Sequence, residues 1–481
     1  MNKHWLDEFI DANSALFTDM SDKIWEYAEI RFQEHQSAAL LSQTLEKEGF
    51  TVTRGIAGLD TGFVATFGSG KPVVAFLGEY DALAGLSQIG GIAEKQPVQG
   101  CNSNGHGCGH NMLGIGSLAA AVAVKRYMEE TGLAGTVRYY GCPGEEGGSG
   151  KAFMARDGAF DNVDASLTWH PFGHTGIWSL GSLANYQVYY RFYGRSSHAA
   201  SSPHLGRSAL DAVELMNVGV NYLREHIQSD ARVHYAITNT GGHSPNVVQA
   251  EAEVLYLMRA PQLSQVQHIY ERICKIAQGA ALMTETRCEI IFDKACSNCI
   301  PNKTLETVMF SNLQEVGPPQ FDDSDRQFAS HIRSTLSQND IDSDLNMGST
   351  FSGNRHPEVI DQLKDKELSD LILPYVHAAA VLPGSTDVGD VSWITPTAQV
   401  ITACQALGTP GHSWQAVSQG RTAIAHKGMV TAAKVLARTA VDILQNPDIA
   451  KQAQAELQDK LGGTAYVSPI PPEVKPKIPA K

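Results

Sequence analysis

Residues 72–81 read PVVAFLGEYD, a run of mainly apolar residues that ends in two acidic ones. An apolar run of this length without polar alternation is typical of a strand buried on both faces of a sheet. Similar runs lie at 136–140, 165–169 and 399–404, and helical patterns at 112–130 and 150–156 follow the first and second runs. This alternation predicts an α/β fold with a mostly parallel sheet that is covered by helices on both faces.

A different pattern occupies the middle of the chain, from residue 186 to about residue 300. Its periodicity changes in the order strand, helix, strand, strand, helix, strand, which is typical of a small ferredoxin-like α+β unit. Because signals of the first kind resume afterwards, this unit is predicted to be an insertion. The predicted domains are a larger one from 1–185 and 301–450, an inserted one at 186–300, and a C-terminal tail at 451–481. Residues 310–380 are polar and poorly periodic, and they receive no assignment.

Composition and charge narrow the class of protein. With 481 residues the chain is too long for one compact core, and its 43% hydrophobic and 18% charged residues are typical of a globular protein. The net charge of −14 argues against a nucleic-acid-binding surface. No apolar run reaches membrane-spanning length, and residues 1–14 lack the apolar core of a signal peptide. Eight cysteines without regular spacing favour reduced thiols, so we expect a cytoplasmic protein without a membrane partner.

Side chains that bind metals or transfer protons follow every predicted strand. In open α/β sheets, ligands bind beyond the carboxyl ends of the strands, where these side chains would meet. The segment 105–111, GHGCGHN, stands at the start of the helix that follows the first strand. The candidates are Glu79, Asp81, Cys108 and His110 after the first strand, Glu145 and Glu146 after the second, His170 after the third and His412 after the fourth.

Each of these residues, taken alone, is more often a solvated loop residue or, for Cys108, a small core residue. Several at one sheet edge are poorly explained by accident, and His, Cys and Glu together suit a zinc- or manganese-type site. Of the adjacent carboxylates, one can bind metal while the other serves as general base. A cysteine nucleophile is the less favoured alternative. A phosphate loop around Lys151 is disfavoured because Glu145 replaces its first glycine and Ala152 its hydroxyl residue.

At these residues the sequence resembles the M20 metallopeptidase and amidohydrolase family, and within it the aminoacylase-like branch. The resemblance covers nearly the whole chain and rests on many short motifs, each of them weak alone. The motifs are GEYDAL at 78–83, GHGCGHN at 105–111, GCPGEEGG at 141–148, TWHP at 168–171, SHAA at 197–200, PHLG at 203–206, NVV at 246–248, STDVGD at 385–390 and GTPGHSW at 408–414.

The resemblance implies a two-metal amidohydrolase with a defined set of site residues. Two divalent ions, Mn²⁺ or Zn²⁺, would be held by Cys108, His110, Glu146, His170 and His412. Glu145 would be the general base and acid, and Asp81 would orient a ligand. His198 would stabilise the oxyanion, often in the active site of the partner subunit, and Asn246 and Arg259 would hold the substrate carboxylate.

The resemblance also implies the partners and the substrate class. The inserted domain would make dimer contacts or close over the site, in a homodimer or in a heterodimer with a related M20 subunit. The substrate would be an N-acyl amino acid, with p-aminobenzoyl-glutamate favoured. The alternatives are a dipeptidase of the same family and a non-catalytic subunit on the same scaffold. The presence of every proposed ligand and of the base argues against the non-catalytic subunit.

Two residues depart from the pattern of the branch. Asn111 stands where the metal motif usually ends in Asp, which is expected to weaken a contact behind the ligands or to change the metal preference. Glu79 replaces an Asp that is common in the branch, and its longer side chain is expected to shift the site. Neither change removes a predicted ligand.

Overall fold

The computed structural model describes residues 2–100, 103–377 and 380–478 and confirms the predicted α/β class. The strands are β1 Thr51–Arg54, β2 Phe63–Ser69, β3 Val73–Glu79, β4 Gly135–Cys142, β5 Ala165–Phe172, β6 Gly176–Trp178, β7 Gly181–Ser182, β8 Ala184–Tyr193, β9 Arg232–Asn239, β10 Glu251–Ala260, β11 Arg287–Cys296, β12 Val381–Leu382 and β13 Thr397–Ala403. The α-helices are α1 His4–Ala12, α2 Ser14–Tyr27, α3 His35–Lys47, α4 His110–Thr131, α5 Glu145–Gly148, α6 Gly150–Arg156, α7 Ala209–Leu223, α8 Leu263–Thr284, α9 Lys303–Val316, α10 Asp323–Arg333, α11 Gln338–Phe351, α12 Pro357–Leu363, α13 Val388–Ser392, α14 Trp414–Gln419, α15 Ala423–Gln445 and α16 Asp448–Leu461. Short 3₁₀ turns lie at Ile56–Gly58, Pro203–Leu205 and Arg224–His226.

The larger sheet has the strand order β1-β2-β4-β3-β5-β13-β6. Its four central strands, β4, β3, β5 and β13, run parallel to one another, and they are the four strands that the apolar runs predict. The flanking strands β1, β2 and β6 are antiparallel to their neighbours and are not predicted by those runs. The parallel centre brings the carboxyl ends of four strands to one edge, which is where the site lies.

Helices cover both faces of this sheet, as predicted. Val74 and Phe76 of β3 share a core with α4 and α15, whereas Val73, Ala75 and Leu77 on the opposite face share a core with α6. Every residue of β3 is therefore buried, which explains why the strand shows no polar alternation.

Helix α4 approaches the sheet closely because its inner residues are small. At Gly116 an added Cβ would lie 2.8 Å from the ring of Trp169 on β5. The indole Nε1–H of Trp169 donates a hydrogen bond to the carbonyl oxygen of Leu113, at 3.0 Å. These contacts set the start of α4, which carries His110, beside the end of β5, which carries His170.

The middle of the chain forms a second, antiparallel sheet in the order β11-β8-β10-β9. The helices α7 and α8 pack on it, so the order of elements is the one that the periodicity predicts. Strand β8 begins at Ala184, two residues before the predicted start, and the boundaries 186–300 of a separate domain remain a prediction.

The segment that the sequence leaves unassigned is largely helical, since α10, α11 and α12 lie within it. These helices bury few side chains. Leu345, Gly348 and Phe351 are the buried residues of α11, which is too narrow an apolar stripe to give a clear helical period. Capping at Asp322 and Ser337 defines where α10 and α11 begin.

The C-terminal segment starts as α16 and then runs as an extended chain over the surface. Ile470 is buried, and the hydroxyl of Tyr466 donates a hydrogen bond to Asp390 at 2.8 Å, so this part of the predicted tail is anchored. Residues 479–481 of the tail lie outside the described residues. Within the described ranges, the helices are too short or too polar to cross a bilayer.

We expect Gly116→Ala to lower the free energy of unfolding by about 1–3 kcal/mol, because the added methyl group overpacks the contact with Trp169. Gly279→Ala in α8 is the matched control, since a Cβ there meets nothing within 4 Å. Alanine at that helical position is expected to be neutral or to stabilise by up to about 1 kcal/mol. Chemical denaturation measures both variants, and equal stability of Gly116→Ala and wild type would contradict the close-packing account.

Candidate metal centre

The edge of the larger sheet gathers the predicted metal-binding side chains. Glu79 is the last residue of β3, His110 is the first residue of α4, and His170 lies near the end of β5. Glu145 and Glu146 follow β4 on a tight turn, and His412 lies in the loop after β13. Segments that are far apart in sequence therefore meet because their strands are parallel neighbours.

The loop that carries Cys108 needs residues without side chains. Gly109 adopts a φ of 80°, and a Cβ there would lie 2.6 Å from Pro171. The backbone N–H of His412 donates a hydrogen bond to the carbonyl oxygen of Gly107 at 3.0 Å, which joins the loop after β13 to the loop before α4. His412 itself adopts a φ of 57°, a strained conformation of the kind that clusters at functional sites.

The donor atoms form two groups that share Cys108. One group is Cys108, His110 and His170, and the other is Cys108, Glu146 and His412, with the donor atoms of each group within 4.8 Å of one another. The Cys108 Sγ and His170 Nε2 atoms are 3.5 Å apart, and the His412 Nε2 and Glu146 Oε1 atoms are 3.0 Å apart. Neighbouring ligands on one zinc-type ion lie about 3.0–3.5 Å apart. The two groups therefore have the spacing of two metal sites joined by one thiolate.

Two buried donor atoms support this fit because they lack hydrogen bonds. Nε2 of His110 and Oε1 of Glu146 have no hydrogen-bond partner among the described residues. Buried polar atoms are almost always paired, and a bound metal ion is one of the partners that can satisfy them. The orphaned atoms belong to different groups, so each group has its own unmet donor.

Asp81 orients a ligand from each group. Its Oδ1 accepts a hydrogen bond from Nδ1 of His110 at 2.9 Å, and its Oδ2 accepts one from the backbone N–H of Glu146 at 2.7 Å. With Nδ1 as the donor, the lone pair of His110 lies on Nε2, which faces the cluster. This position agrees with the orienting role that the sequence predicts for Asp81.

The charges around Cys108 favour its thiolate form. Burial and the Glu146 carboxylate raise the pKa of the thiol, but the imidazoles of His110 and His170 outweigh them and hold that pKa at about 6. The thiolate is the form of cysteine that binds metals.

The adjacent carboxylates of Glu145 and Glu146 have opposite pKa shifts. Burial raises the pKa of Glu145 well above its usual range, and the neighbouring carboxylates of Glu79 and Glu146 raise it further. Burial also raises the pKa of Glu146, but the hydrogen bond from His412 and the nearby His110 lower it to about 2. Glu146 is therefore suited to bind a cation, and Glu145 is suited to take up and return a proton.

Lys151 is a buried residue of this site whose role sequence reasoning missed. Its Nζ lies 2.7 Å from Oε1 of Glu79 and 2.5 Å from Oδ1 of Asp387. The sequence drew attention to Lys151 through a phosphate-loop pattern that it does not complete, and no short-range signal links it to Asp387.

A cavity of about 320 Å³ opens beside the cluster. Cys108, His170 and His412 line one side of it, and helix α11, from the segment without a sequence assignment, forms another side. The α11 residues on this wall are Asp340, Ser343, Asp344 and Met347. The cavity therefore has donor atoms on one wall and a mixed polar and apolar surface on another.

The residues predicted to contact substrate from the inserted sheet lie apart from the cluster. His198 and Asn246 are exposed and neighbour each other, since the N–H of Ala199 donates a hydrogen bond to the carbonyl oxygen of Asn246 at 2.9 Å. Arg259 donates a hydrogen bond from Nη1 to the hydroxyl of Ser385 at 3.2 Å, so it bridges the two sheets. The structure does not bring His198 or Asn246 into contact with the metal-binding groups of the described chain.

Asn111 points away from the cluster and ties helices together. Its Nδ2 donates hydrogen bonds to the hydroxyl of Ser21 at 3.1 Å and to the carbonyl oxygen of Gly420 at 2.9 Å. An aspartate has no hydrogen to donate to Gly420. The departure from the usual Asp therefore serves packing against α2 and the loop after α14.

The sequence matches a known family over the residues that build this site. A model of peptidase family M20/M25/M40 matches residues 75–442. The chain belongs to this family. The matched segment begins in β3 and ends in α15, so it includes every residue of the two donor groups. As the sequence predicts, the protein is a hydrolase of amide bonds.

Individual relatives within the M20 family resemble the chain over its whole length. One of the two subunits of the p-aminobenzoyl-glutamate hydrolase of Escherichia coli (strain K12) is 52% identical over 472 residues, which cover 98% of this chain and 98% of that protein. The Xaa-Arg dipeptidase of Mus musculus is 28% identical, with 94% and 91% covered. A solved structure of the Bacillus subtilis YXEP protein, described as a dinuclear metal binding peptidase from the M20 family, shares the fold with a TM-score of 0.54 at 18% identity, covering 90% of this chain and 99% of that one.

We expect Asn111→Asp to lower the free energy of unfolding by about 1–3 kcal/mol, because it places a carboxylate against the Gly420 carbonyl and removes two donated hydrogen bonds. The number of divalent ions bound is expected to stay the same, since Asn111 faces away from the donors. Thermal unfolding and metal analysis of the purified variant measure the two effects. Loss of metal without loss of stability would contradict the structural role.

Proposed function

We propose that this chain hydrolyses the amide bond of an N-acyl amino acid, and that the substrate is p-aminobenzoyl-glutamate, which yields p-aminobenzoate and glutamate. The observation that carries the proposal is that Cys108 belongs to two metal-binding groups at once, while Glu145 joins His110 in a third. The 52% identity with a p-aminobenzoyl-glutamate hydrolase chain, over 98% of both proteins, supports the choice of substrate.

We infer that the two groups hold two divalent ions, Mn²⁺ or Zn²⁺, through Cys108, His110, His170, Glu146 and His412. When bound, such ions polarise an amide carbonyl and make water a better nucleophile near neutral pH. The mixed thiolate, imidazole and carboxylate ligands suit either metal.

Glu145 would move the protons of the reaction. It would accept a proton from the attacking water as the oxygen–carbon bond forms at the amide carbonyl. It would then donate that proton to the amide nitrogen as the carbon–nitrogen bond breaks. A carboxyl group whose pKa is raised toward neutrality can make both transfers, and burial raises the pKa of Glu145 in that direction.

The cavity beside the cluster would receive the acyl group. Phe172, Met347 and Pro410 give it apolar surface, and its volume of about 320 Å³ is in the lower range for small-molecule sites. A flat aromatic acyl group would lie against Phe172, while the amino-acid carboxylate would reach Asn246 and Arg259 on the inserted sheet.

The imidazole of His198 is in the tautomer that an oxyanion donor needs. Its Nδ1 accepts hydrogen bonds from the backbone N–H groups of Ala200 and Ser201, each at 3.2 Å. The hydrogen of the neutral ring is therefore on Nε2, which is free to donate to a developing oxyanion. Its distance from the cluster in one chain supports a donation made by closure of the inserted sheet or by a partner subunit.

Exposed apolar side chains on the inserted sheet support a dimer. Val218 and Tyr222 on the outer face of α7 are 51% and 72% exposed, and Ile237 on β9 is 42% exposed. Strand β9 is at the edge of the sheet, and edge strands commonly pair with another chain. The partner would be a second copy or a related M20 subunit, because the Escherichia coli relative is itself named as one subunit of a hydrolase.

A dipeptidase is the second candidate, because the mouse relative named Xaa-Arg dipeptidase also spans most of the chain. Steady-state assays with p-aminobenzoyl-glutamate, other N-acyl amino acids and free dipeptides separate the two candidates. We expect the highest kcat/KM for p-aminobenzoyl-glutamate. A higher value for dipeptides that end in arginine would replace the proposed substrate.

We expect Glu145→Gln to lower kcat by about 10²–10⁴-fold, because the amide side chain cannot accept the proton of water. Folding and the number of bound ions should remain, since this substitution keeps the shape of the side chain and leaves Glu146 intact. Kinetic assays and metal analysis of the same preparation measure both. Near-normal turnover would remove Glu145 from the mechanism.

We expect mixtures of inactive His198→Ala and Glu145→Gln chains to recover part of the wild-type activity. If His198 acts across a dimer, a mixed dimer contains one site with both residues intact. Each variant alone, taken through the same exchange, is the control. No recovery, with subunit exchange confirmed by differently tagged chains, would exclude donation across the interface and leave action within one chain.

A further inference from the structure

A buried lysine holds the Glu79 carboxylate from one side. Lys151 and Glu79 are both buried, and Nζ of Lys151 lies 2.7 Å from Oε1 of Glu79. The lysine is itself fixed by Asp387, which contacts Nζ with Oδ1 at 2.5 Å and accepts a hydrogen bond from the Lys151 backbone N–H with Oδ2 at 2.8 Å. One oxygen of Glu79 is therefore occupied and its carboxylate plane is held.

The other oxygen of Glu79 faces the metal-binding nitrogen of His110. Oε2 lies 3.2 Å from Nε2, yet the contact lacks the geometry of a hydrogen bond. Since Nδ1 of His110 donates to Asp81, a neutral ring places its lone pair on Nε2. Two lone pairs that face each other at this distance repel unless a cation lies between them. A separation of 3.2 Å is also within the spacing of about 3.0–3.5 Å for neighbouring ligands on one ion.

We propose that Glu79 is a further ligand of the ion held by His110, and that Lys151 is the positioning residue that directs it there. The proposal rests on the two-ion site of the proposed function and adds a carboxylate that the family resemblance does not assign to metal binding. It also explains why the side chain at position 79 is long. A glutamate spans from Lys151 to His110, whereas an aspartate is one methylene shorter and reaches only one of them.

The alternative role for Glu79 is to balance the charge of Lys151 without touching an ion. Both roles predict that loss of Glu79 destabilises the fold, because its loss leaves a buried ammonium group with one partner fewer. Only the ligand role predicts a change in metal affinity and in the electronic spectrum of the bound metal. The test therefore measures metal binding and not activity.

The full-length chain, stripped of metal by a chelator, would be titrated with Co²⁺ and followed by visible absorption and calorimetry. We expect the wild type to bind two ions with a thiolate charge-transfer band from Cys108. In Glu79→Gln we expect one ion to bind at least about 10-fold more weakly, because even residues behind metal ligands change affinity by about 10–100-fold. The ligand-field bands should change while the charge-transfer band stays.

Lys151→Met should weaken the same ion as Glu79→Gln, because it frees the Glu79 carboxylate to turn away. Asp7→Asn is the matched control. It breaks the buried ion pair between Asp7 and Arg438, so it should lower stability while both Co²⁺ affinities stay at the wild-type values.

Glu79→Asp covers the case in which Glu79→Gln does not fold, because it keeps the charge and shortens the reach. We expect it also to weaken one ion by at least about 10-fold. Wild-type affinities and an unchanged spectrum in the folded variants would overturn the ligand role and leave the proposed function standing. A wild-type chain that binds no Co²⁺ would overturn both.

Discussion

The geometry of the site depends on one buried carboxylate, that of Asp81, which is 1% exposed. Its two oxygens accept hydrogen bonds from the His110 ring and from the backbone N–H of Glu146. Asp81 follows β3, His110 begins α4 and Glu146 follows β4, so this single group fixes three segments relative to one another. Hydrogen bonds to an ionised acceptor are about twice as strong as neutral ones, and leaving such a buried group unpaired is costly. The two donor groups therefore keep their relative position through Asp81.

Negative charge is concentrated around this carboxylate, and the protein offsets only part of it. Glu79 and Asp387 share the ammonium group of Lys151. Burial raises the pKa of Glu34 to about 8, and the charge of Asp81 contributes, so Glu34 holds a proton at neutral pH. Glu34 also accepts a hydrogen bond from the N–H of Gly144, just before Glu145. Divalent cations would offset the remaining charge, so ion binding should stabilise the folded chain as well as activate it.

The sequence predicts those parts of the fold and site that depend on local periodicity and on parallel topology. Apolar runs predict the four central strands, and parallel neighbours must present their carboxyl ends at one edge, so Cys108, His170 and Glu146 meet there. The roles of Lys151 and Asn111 are not predictable in this way. Lys151 pairs with Asp387, 236 positions away, and Asn111 contacts Gly420, 309 positions away. Such contacts leave no pattern in the neighbouring residues. Whether His198 acts at the site stays a prediction, because its exposed loop contacts its own sheet in a single chain.

Helix α11 shows why the least periodic segment still matters to the site. Asp344 lies on the cavity wall, accepts a hydrogen bond from the backbone N–H of Gly408 at 2.8 Å and lies 3.3 Å from Nε2 of His174. Gly408 belongs to the loop that carries His412, and His174 follows the strand that carries His170. One polar side chain thus connects the substrate cavity to a segment from each donor group. Substitutions of Ser343 or Met347 would change the cavity wall alone, whereas a change at Asp344 would also disturb the loops that place the ligands. The choice of substrate and the binding of metal are therefore separable on most of α11 and coupled at Asp344.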